Sequence, residues 1–336
     1  MSNGQQNPRM RRTRSENLPF IQHLPVDGRR LWLPSAFYDD QEGAFHTYIP
    51  HEGELLIMTP RLIEGTYVSK SLVDANQDCF MPLTDLVMGC YSFPEVIPIL
   101  QQIEQDLVNA LASLEKYFVL LQDANQRKDP SSRHLVSVEV EYAFANHRAF
   151  YDRLQAIINA VHLKWNKPRK KLPDSFREVA QRDAQYLRDM FSFPETMITF
   201  YRLQVETFMK LRDVRDNIFH HGHSVDLIFH LPDGFGVALD DKFVARLANL
   251  NLWSGGLLKN QNLGSILALL QFLVRDITHA MHALAENLPA CSPPPPQRTY
   301  ANGYRTYFRC PLVRHVAKLD TYRDTHWLDP QICLQR

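Results

Sequence analysis

The chain has 336 residues, 45% of them hydrophobic and 22% charged, with Lys+Arg and Asp+Glu both at 37. That is enough chain for one large domain or two modest ones with a real core. A zero formal charge removes any global electrostatic argument for a nucleic-acid or membrane partner, leaving only local patches. The five cysteines lack a CxxC spacing, which argues against a disulfide framework or a thiolate zinc site and for a reducing compartment.

Residues 1–17 (MSNGQQNPRMRRTRSEN) are polar and basic, without the apolar segment of a secretory signal, and are expected to be a disordered tail. Residues 18–90 hold short apolar runs such as LWLPSAFY and GTYVSK, broken by Pro and Gly. They are expected to form short strands in an irregular region.

From residue 91 to about 289 the pattern is helical. The tetrapeptide SFPE occurs at 92–95 and again at 192–195. Its Ser and Glu can form a capping box, and its Pro suits a first turn, so both are expected to open helices. Leu100, Ile103, Leu107, Leu111, Leu114, Phe118 and Leu121 then mark one apolar face. A second helix is expected over about 135–165, a shorter one over 174–190 and a third long one from the second SFPE to about 221. SVDLIFHL-PDGFG-VAL reads as a β-hairpin at about 224–239. A short helix near 240–252 and a last long one over about 262–288 follow. The most apolar run, LGSILALLQFLV, is too short to span a bilayer. Residues 290–297 form a proline linker, and 298–336 an extension that docks on something. The expected fold is mainly α: an antiparallel four-helix bundle with an inserted β-hairpin and an irregular N-terminal region.

The candidate site is LRDVRDNIFHHGH at 211–223. On a helical wheel Arg215 falls inside the stripe of Met197, Tyr201, Phe208 and Leu211, where a guanidinium needs an ionic partner or a route to solvent. Arg212 and His221 flank it and are expected to bind substrate. A run of Lys164, Lys167, Arg169, Lys170 and Lys171, and the arginines at 9–14, offer phosphate contacts, although such runs are commonly just solvated. HHGH at 220–223, with His230 beyond it, fits no standard zinc spacing, so no metal is expected there.

Arg215-Asp216-x-x-x-His220 resembles the R-(N/D/H)-x-x-x-H motif of the HEPN superfamily, a family of helical-bundle proteins, and the resemblance extends over about residues 92–288. It implies a metal- and cofactor-independent ribonuclease, or else a non-catalytic interaction protein. On the first reading His220 moves protons, Arg215 holds the scissile phosphate and Asp216 orients the imidazole. Arg215 and His220 stand about 140° apart on an ideal helix. The resemblance resolves this through a homodimer in which two motifs share a cleft. It further implies RNA as substrate, a regulatory protein partner, and toxin or defence use in the cytoplasm. A hydrolase using the histidine cluster is the remaining alternative.

Overall fold

The computed structural model describes residues 11–14, 18, 36–52, 54–61, 63–127, 130–221, 228–239, 247, 250, 252–253, 258–260, 262–292, 298–301, 303–319 and 327–328; for Arg11, Pro50 and residues 217–221 it describes the backbone alone. The strands are β1 (Arg11–Thr13), β2 (Ala36–Asp39), β3 (Ala44–His51), β4 (Glu54–Met58), β5 (Gly65–Ser69), β6 (Asp78–Phe80), β7 (Ile228–Leu231), β8 (Gly234–Ala238), β9 (Leu263–Ser265) and β10 (Arg305–Arg309). The helices are α1 (Pro82–Cys90), α2 (Ile97–Arg127), α3 (Ser131–Trp165), α4 (Phe176–Ala180), α5 (Ala184–Phe191), α6 (Glu195–His221) and α7 (Ile266–Asn287).

Helices predominate, as expected, but the N-terminal region is more ordered than its sequence suggests. It forms a seven-stranded mixed sheet in the order β1-β4-β3-β2-β5-β10-β6. Arg11–Thr13, inside the segment expected to be disordered, pair with Leu55–Ile57 of β4. The strand β10 comes from the C-terminal extension and inserts between β5 and β6. The 18–90 region and the 298–336 extension, separate in sequence, therefore share one sheet.

Alternation along these strands sorts the side chains onto two faces. Phe37, Val68 and Phe308 join the main core shared with the helices. Ala36, Tyr67 and Tyr307 form a second cluster on the other face, with Tyr67 stacked on Tyr307 at 5.6 Å. Two carboxylates pin the inserted strand. Asp78 accepts from Arg309 Nε (2.5 Å), Arg309 Nη2 (2.8 Å) and Tyr67 Oη (2.9 Å). Asp85 of α1 accepts from both Arg298 Nη atoms (3.0 and 2.7 Å), from Arg305 Nη1 (3.2 Å) and from the Thr306 amide (2.8 Å).

The apolar stripe from Leu100 to Leu121 does form one face of α2. Leu100, Ile103, Leu107, Leu111, Leu114 and Leu121 are buried, and α2 packs on α3 and α7, while α6 packs on α3 and α7. Polar pairs show α2 and α3 running antiparallel: Ser113 donates to Glu139 and Asn146 to the Asp106 carbonyl, and Arg153 pairs with Asp106. Tyr151 reaches Gln204 and Tyr201 reaches Gln155, so α3 and α6 are antiparallel too.

Several expectations need correction. The 174–190 helix is two short helices, α4 and α5, and the last long helix begins at Ile266 after strand β9. Neither SFPE serine caps the helix that follows it. Ser192 sits in the left-handed region (φ 58°) and closes α5, donating its amide to the Arg188 carbonyl. The buried Ser92 hydroxyl finds no partner, and α2 starts only at Ile97 after a turn on the Phe93 carbonyl. Burial of the phenylalanines explains both corners. Phe93 packs on Trp165 (5.8 Å) and Phe193 on His162 (4.7 Å), so both motifs seat against the end of α3. The expected hairpin is present as β7 and β8 around Pro232-Asp233, and β9 extends it to three strands. A Cβ at Gly234 would lie 2.8 Å from Tyr117 Oη, which explains the glycine after the turn. The short helix expected at 240–252 and the proline run 293–297 lie largely outside the described residues. No helix among the described residues is long and apolar enough to cross a membrane.

Where sheet and helices meet, the Glu104 carboxyl of α2 is buried and accepts from Thr66 Oγ1 of β5 (2.6 Å) and Thr84 Oγ1 of α1 (3.3 Å). Burial outweighs these donors and pushes its pKa up to about 7, against 4.5 for an ordinary glutamate. The fold thus favours the protonated acid. Its stabilising effect is complete below pH 4.5 and is lost as pH rises through about 7. Glu104→Gln should therefore gain on the wild type by about 3 kcal/mol between pH 4.5 and pH 8 in urea unfolding. Parallel pH profiles for the two proteins would refute this role of Glu104.

Candidate functional site

The helix α6 carries the candidate motif near its C-terminal end, with Phe208, Leu211 and Val214 buried against the core. This stripe brings Arg212, Arg215 and Asp216 to a half-buried edge, their side chains 14%, 19% and 23% exposed. Arg212 Nη2 lies 2.7 Å from Asp216 Oδ2, one helical turn on, and Arg215 Nη1 lies 3.0 Å from Asp216 Oδ1. The arginine predicted to intrude on the apolar stripe thus meets a carboxylate of its own helix.

Asp216 was expected to orient His220. Both of its oxygens are engaged by guanidiniums instead. His220 and His221 lie in the helical backbone of α6, which keeps the angular separation between positions 215 and 220, but their side chains lie outside the described residues, as does His223. His230 of β7, the farthest member of the histidine group, is paired with Asn125 Oδ1 at 2.9 Å, and burial lowers its pKa.

The basic run sits elsewhere. Lys167, Arg169, Lys170 and Lys171 are exposed in the loop after α3. The Lys170 amide donates to the Met190 carbonyl and its ammonium to Tyr186 Oη (2.9 Å), placing the run beside α5 and the start of α6. From residue 195 to Arg215 the helix rises about 30 Å. The structure therefore brings Arg212, Arg215 and Asp216 together and leaves the lysine run at the far end. Of the N-terminal arginines, Arg12 within β1 and Arg14 just after it are exposed.

Sequence reasoning missed a polar cluster inside the helices. His147 Nε2 lies 2.7 Å from Asp276 Oδ2, and Tyr151 Oη donates to the same oxygen at 2.8 Å. Burial, reinforced by Asp276, raises the Tyr151 pKa well above its ordinary value. The available signal was Asp276 between Leu273 and Ile277 on the apolar face of α7, facing a histidine on that of α3. The cluster ties α3 to α7, and Tyr151 also reaches Gln204 of α6. Asp106, also buried and paired with Arg153, has its pKa pushed up to about 6 by desolvation.

Chemically, two guanidiniums converging on one carboxylate form an anion-binding pair already holding an anion. Each guanidinium meets Asp216 through one nitrogen, so a phosphate would draw on the remaining N–H donors or displace the carboxylate. Comparison of the chain with protein-family models, with curated proteins and with solved structures finds no match.

Removing Asp216 leaves two partly buried cations without this shared carboxylate. Asp216→Ala should cost about 1–3 kcal/mol in chemical denaturation, and more than Arg212→Ala, which leaves Arg215 still paired. Equal stability of Asp216→Ala and wild type would show the triad to be energetically idle.

Proposed function

We propose that the protein is a HEPN-like, metal-independent RNA endonuclease whose site is completed by a second copy of the chain. The carrying observation is the Arg215-Asp216-x-x-x-His220 motif near the C-terminal end of a long helix, with Arg215 half-buried and ion-paired. The antiparallel packing of α2 with α3 and of α3 with α6, with α7 against all three, supports reading these four helices as a HEPN-like bundle. The N-terminal sheet and β10 are additions to that bundle.

RNA brings its own nucleophile. The ribose 2′-oxygen forms a bond to phosphorus while the bond to the departing 5′-oxygen breaks. The His220 imidazole takes the 2′ proton, and the 5′-oxygen leaves with a proton from that imidazolium or from water. The Arg215 guanidinium neutralises the charge gathering on the phosphorane oxygens. Asp216 and Arg212 hold Arg215 in place before the phosphate arrives. Positions 215 and 220 are about 140° apart on one helix, so a single chain does not aim both at one phosphate. The loop of Lys167, Arg169, Lys170 and Lys171 then contacts RNA away from the cleavage point. His221 lies beside the site and has the lesser part. Use as a toxin or in defence, in the cytoplasm and under a regulatory protein, belongs to the same reading.

A second reading is a non-catalytic HEPN-like scaffold. What favours it is that both oxygens of Asp216 are already engaged by Arg212 and Arg215 within one chain.

Arg215→Ala and His220→Ala should each lower cleavage of single-stranded RNA by at least about 100-fold, with His221→Ala much less affected. Products should end in 2′,3′-cyclic phosphate, and chelator-treated protein should remain active. A folded wild-type dimer that cleaves no RNA would favour the scaffold. Activity surviving in His220→Ala and lost in His221→Ala would move the proton transfer to the other histidine.

A further inference from the structure

The turn between β2 and β3 gathers a second set of functional groups, far in sequence from α6. Asp39 ends β2, Glu42 lies in the turn, and His46 points back from β3. One carboxylate oxygen of each acid and one imidazole nitrogen lie within 4.8 Å of one another. His46 Nε2 is 3.1 Å from Glu42 Oε2 and 3.9 Å from Asp39 Oδ2. The histidine is only 4% exposed, and its Nε2 is buried without a hydrogen-bond partner.

Each donor is held in place by the local fold. Asp39 Oδ1 accepts the amides of Gln41 (2.8 Å) and Glu42 (3.2 Å), which leaves Oδ2 facing the histidine. Gly43 at φ 63° closes the turn with its amide on the Asp39 carbonyl, a conformation natural to glycine. The sheet register places Thr47 opposite Met58, so Thr59 follows alongside His46, and Thr59 Oγ1 lies 3.2 Å from His46 Nδ1. Nε2 stands on the side of the two acids, 3.1 Å from the nearer oxygen, yet makes no hydrogen bond to it. A buried ring nitrogen this close to two carboxylates calls for a cation or a proton between them.

We propose that Asp39, Glu42 and His46 bind one divalent transition-metal ion of the zinc, cobalt or manganese class. The charges match, since two carboxylates and a neutral imidazole offset a dication. Two donors each about 2.1 Å from a metal stand about 3.0–3.4 Å apart at right-angle to tetrahedral geometry; the 3.1 Å between His46 and Glu42 falls in that range, and Asp39, at 3.9 Å from His46, would have to close in by about 0.5 Å on binding. An imidazole among carboxylates selects against magnesium and calcium, which prefer oxygen donors alone. Thr59 plays the orienting part that metal-bound histidines commonly require. Asp39 and Glu42 have side chains 39% and 45% exposed, giving the ion a way in and leaving its remaining positions to water. The site is independent of the α6 motif.

The test uses the full chain without a histidine tag, stripped with chelator and titrated with Co²⁺ and Zn²⁺ while ligand-field absorption and bound metal are measured. One ion per chain is expected, with Ca²⁺ and Mg²⁺ failing to compete in excess. Glu42→Gln, in an exposed turn, and His46→Gln should each weaken binding at least about 10-fold, with circular dichroism confirming the fold, and His221→Ala should bind like wild type. Thr59→Val should weaken binding about 10–100-fold as a loss of orientation alone. The site is overturned if wild type shows no saturable binding, or if Glu42→Gln and folded His46→Gln bind as well as wild type. Binding lost only in His221→Ala would equally overturn it and place the ion at the end of α6.

Discussion

The insertion of β10 between β5 and β6 is the constraint on which the architecture depends. Without it, β6 has no neighbour in the sheet and β5 loses one of its two. Two buried carboxylates make the insertion specific. Asp78 and Asp85 each accept a forked guanidinium, from Arg309 and Arg298 respectively, and Asp85 also takes the Thr306 amide inside the strand. Fork-to-carboxylate pairing fixes direction as well as distance. A slip of β10 by one residue would turn Tyr307 and Phe308 to the wrong faces and would break the Thr306 bond to Asp85.

From this strand the order passes to the helices. The 3-10 helix Pro311–Lys318 follows β10 and packs on α2, with Arg314 and His315 both on Glu115 (2.8 and 2.7 Å) and the His315 ring stacked on Phe118. Sheet and helices also meet through Glu104, on which β5, α1 and α2 converge. Along α3 the cluster of His147, Tyr151 and Asp276 fixes α7, and Gln155 with Tyr201 fixes α6. Position 215 is thus set at the edge of a framework in which every long helix is polar-locked to a neighbour. Such locking suits a site requiring a guanidinium held in one place before its ligand arrives.

What was legible in the sequence was periodic and local. The stripe from Leu100 to Leu121 and the run from Ile266 to Leu284 appear as α2 and α7 because burying one face is a property of each segment alone. The β7–β8 turn was legible for the same reason. The sheet was not, because β10 pairs with residues more than 220 positions earlier, and short strands carry little signal of their partners. The SFPE motifs misled because their phenylalanines, by packing on α3, outweighed the serines' preference to cap. At the candidate site the Arg215 wheel position was legible, but the commitment of Asp216 to Arg212 required side-chain geometry. Asp39, Glu42 and His46 form no familiar spacing, and it is the β2–β3 hairpin that brings them together.

The central claim is that Arg215 of one copy works with His220 of another. Mixing folded Arg215→Ala protein with folded His220→Ala protein tests it most directly, after conditions that allow subunits to exchange. A mixed dimer retains one intact arginine and one intact histidine on opposite protomers, and cleavage should return although neither parent cleaves. If wild type cleaves and the exchanged mixture stays as inactive as its parents, the two residues do not act across a shared cleft.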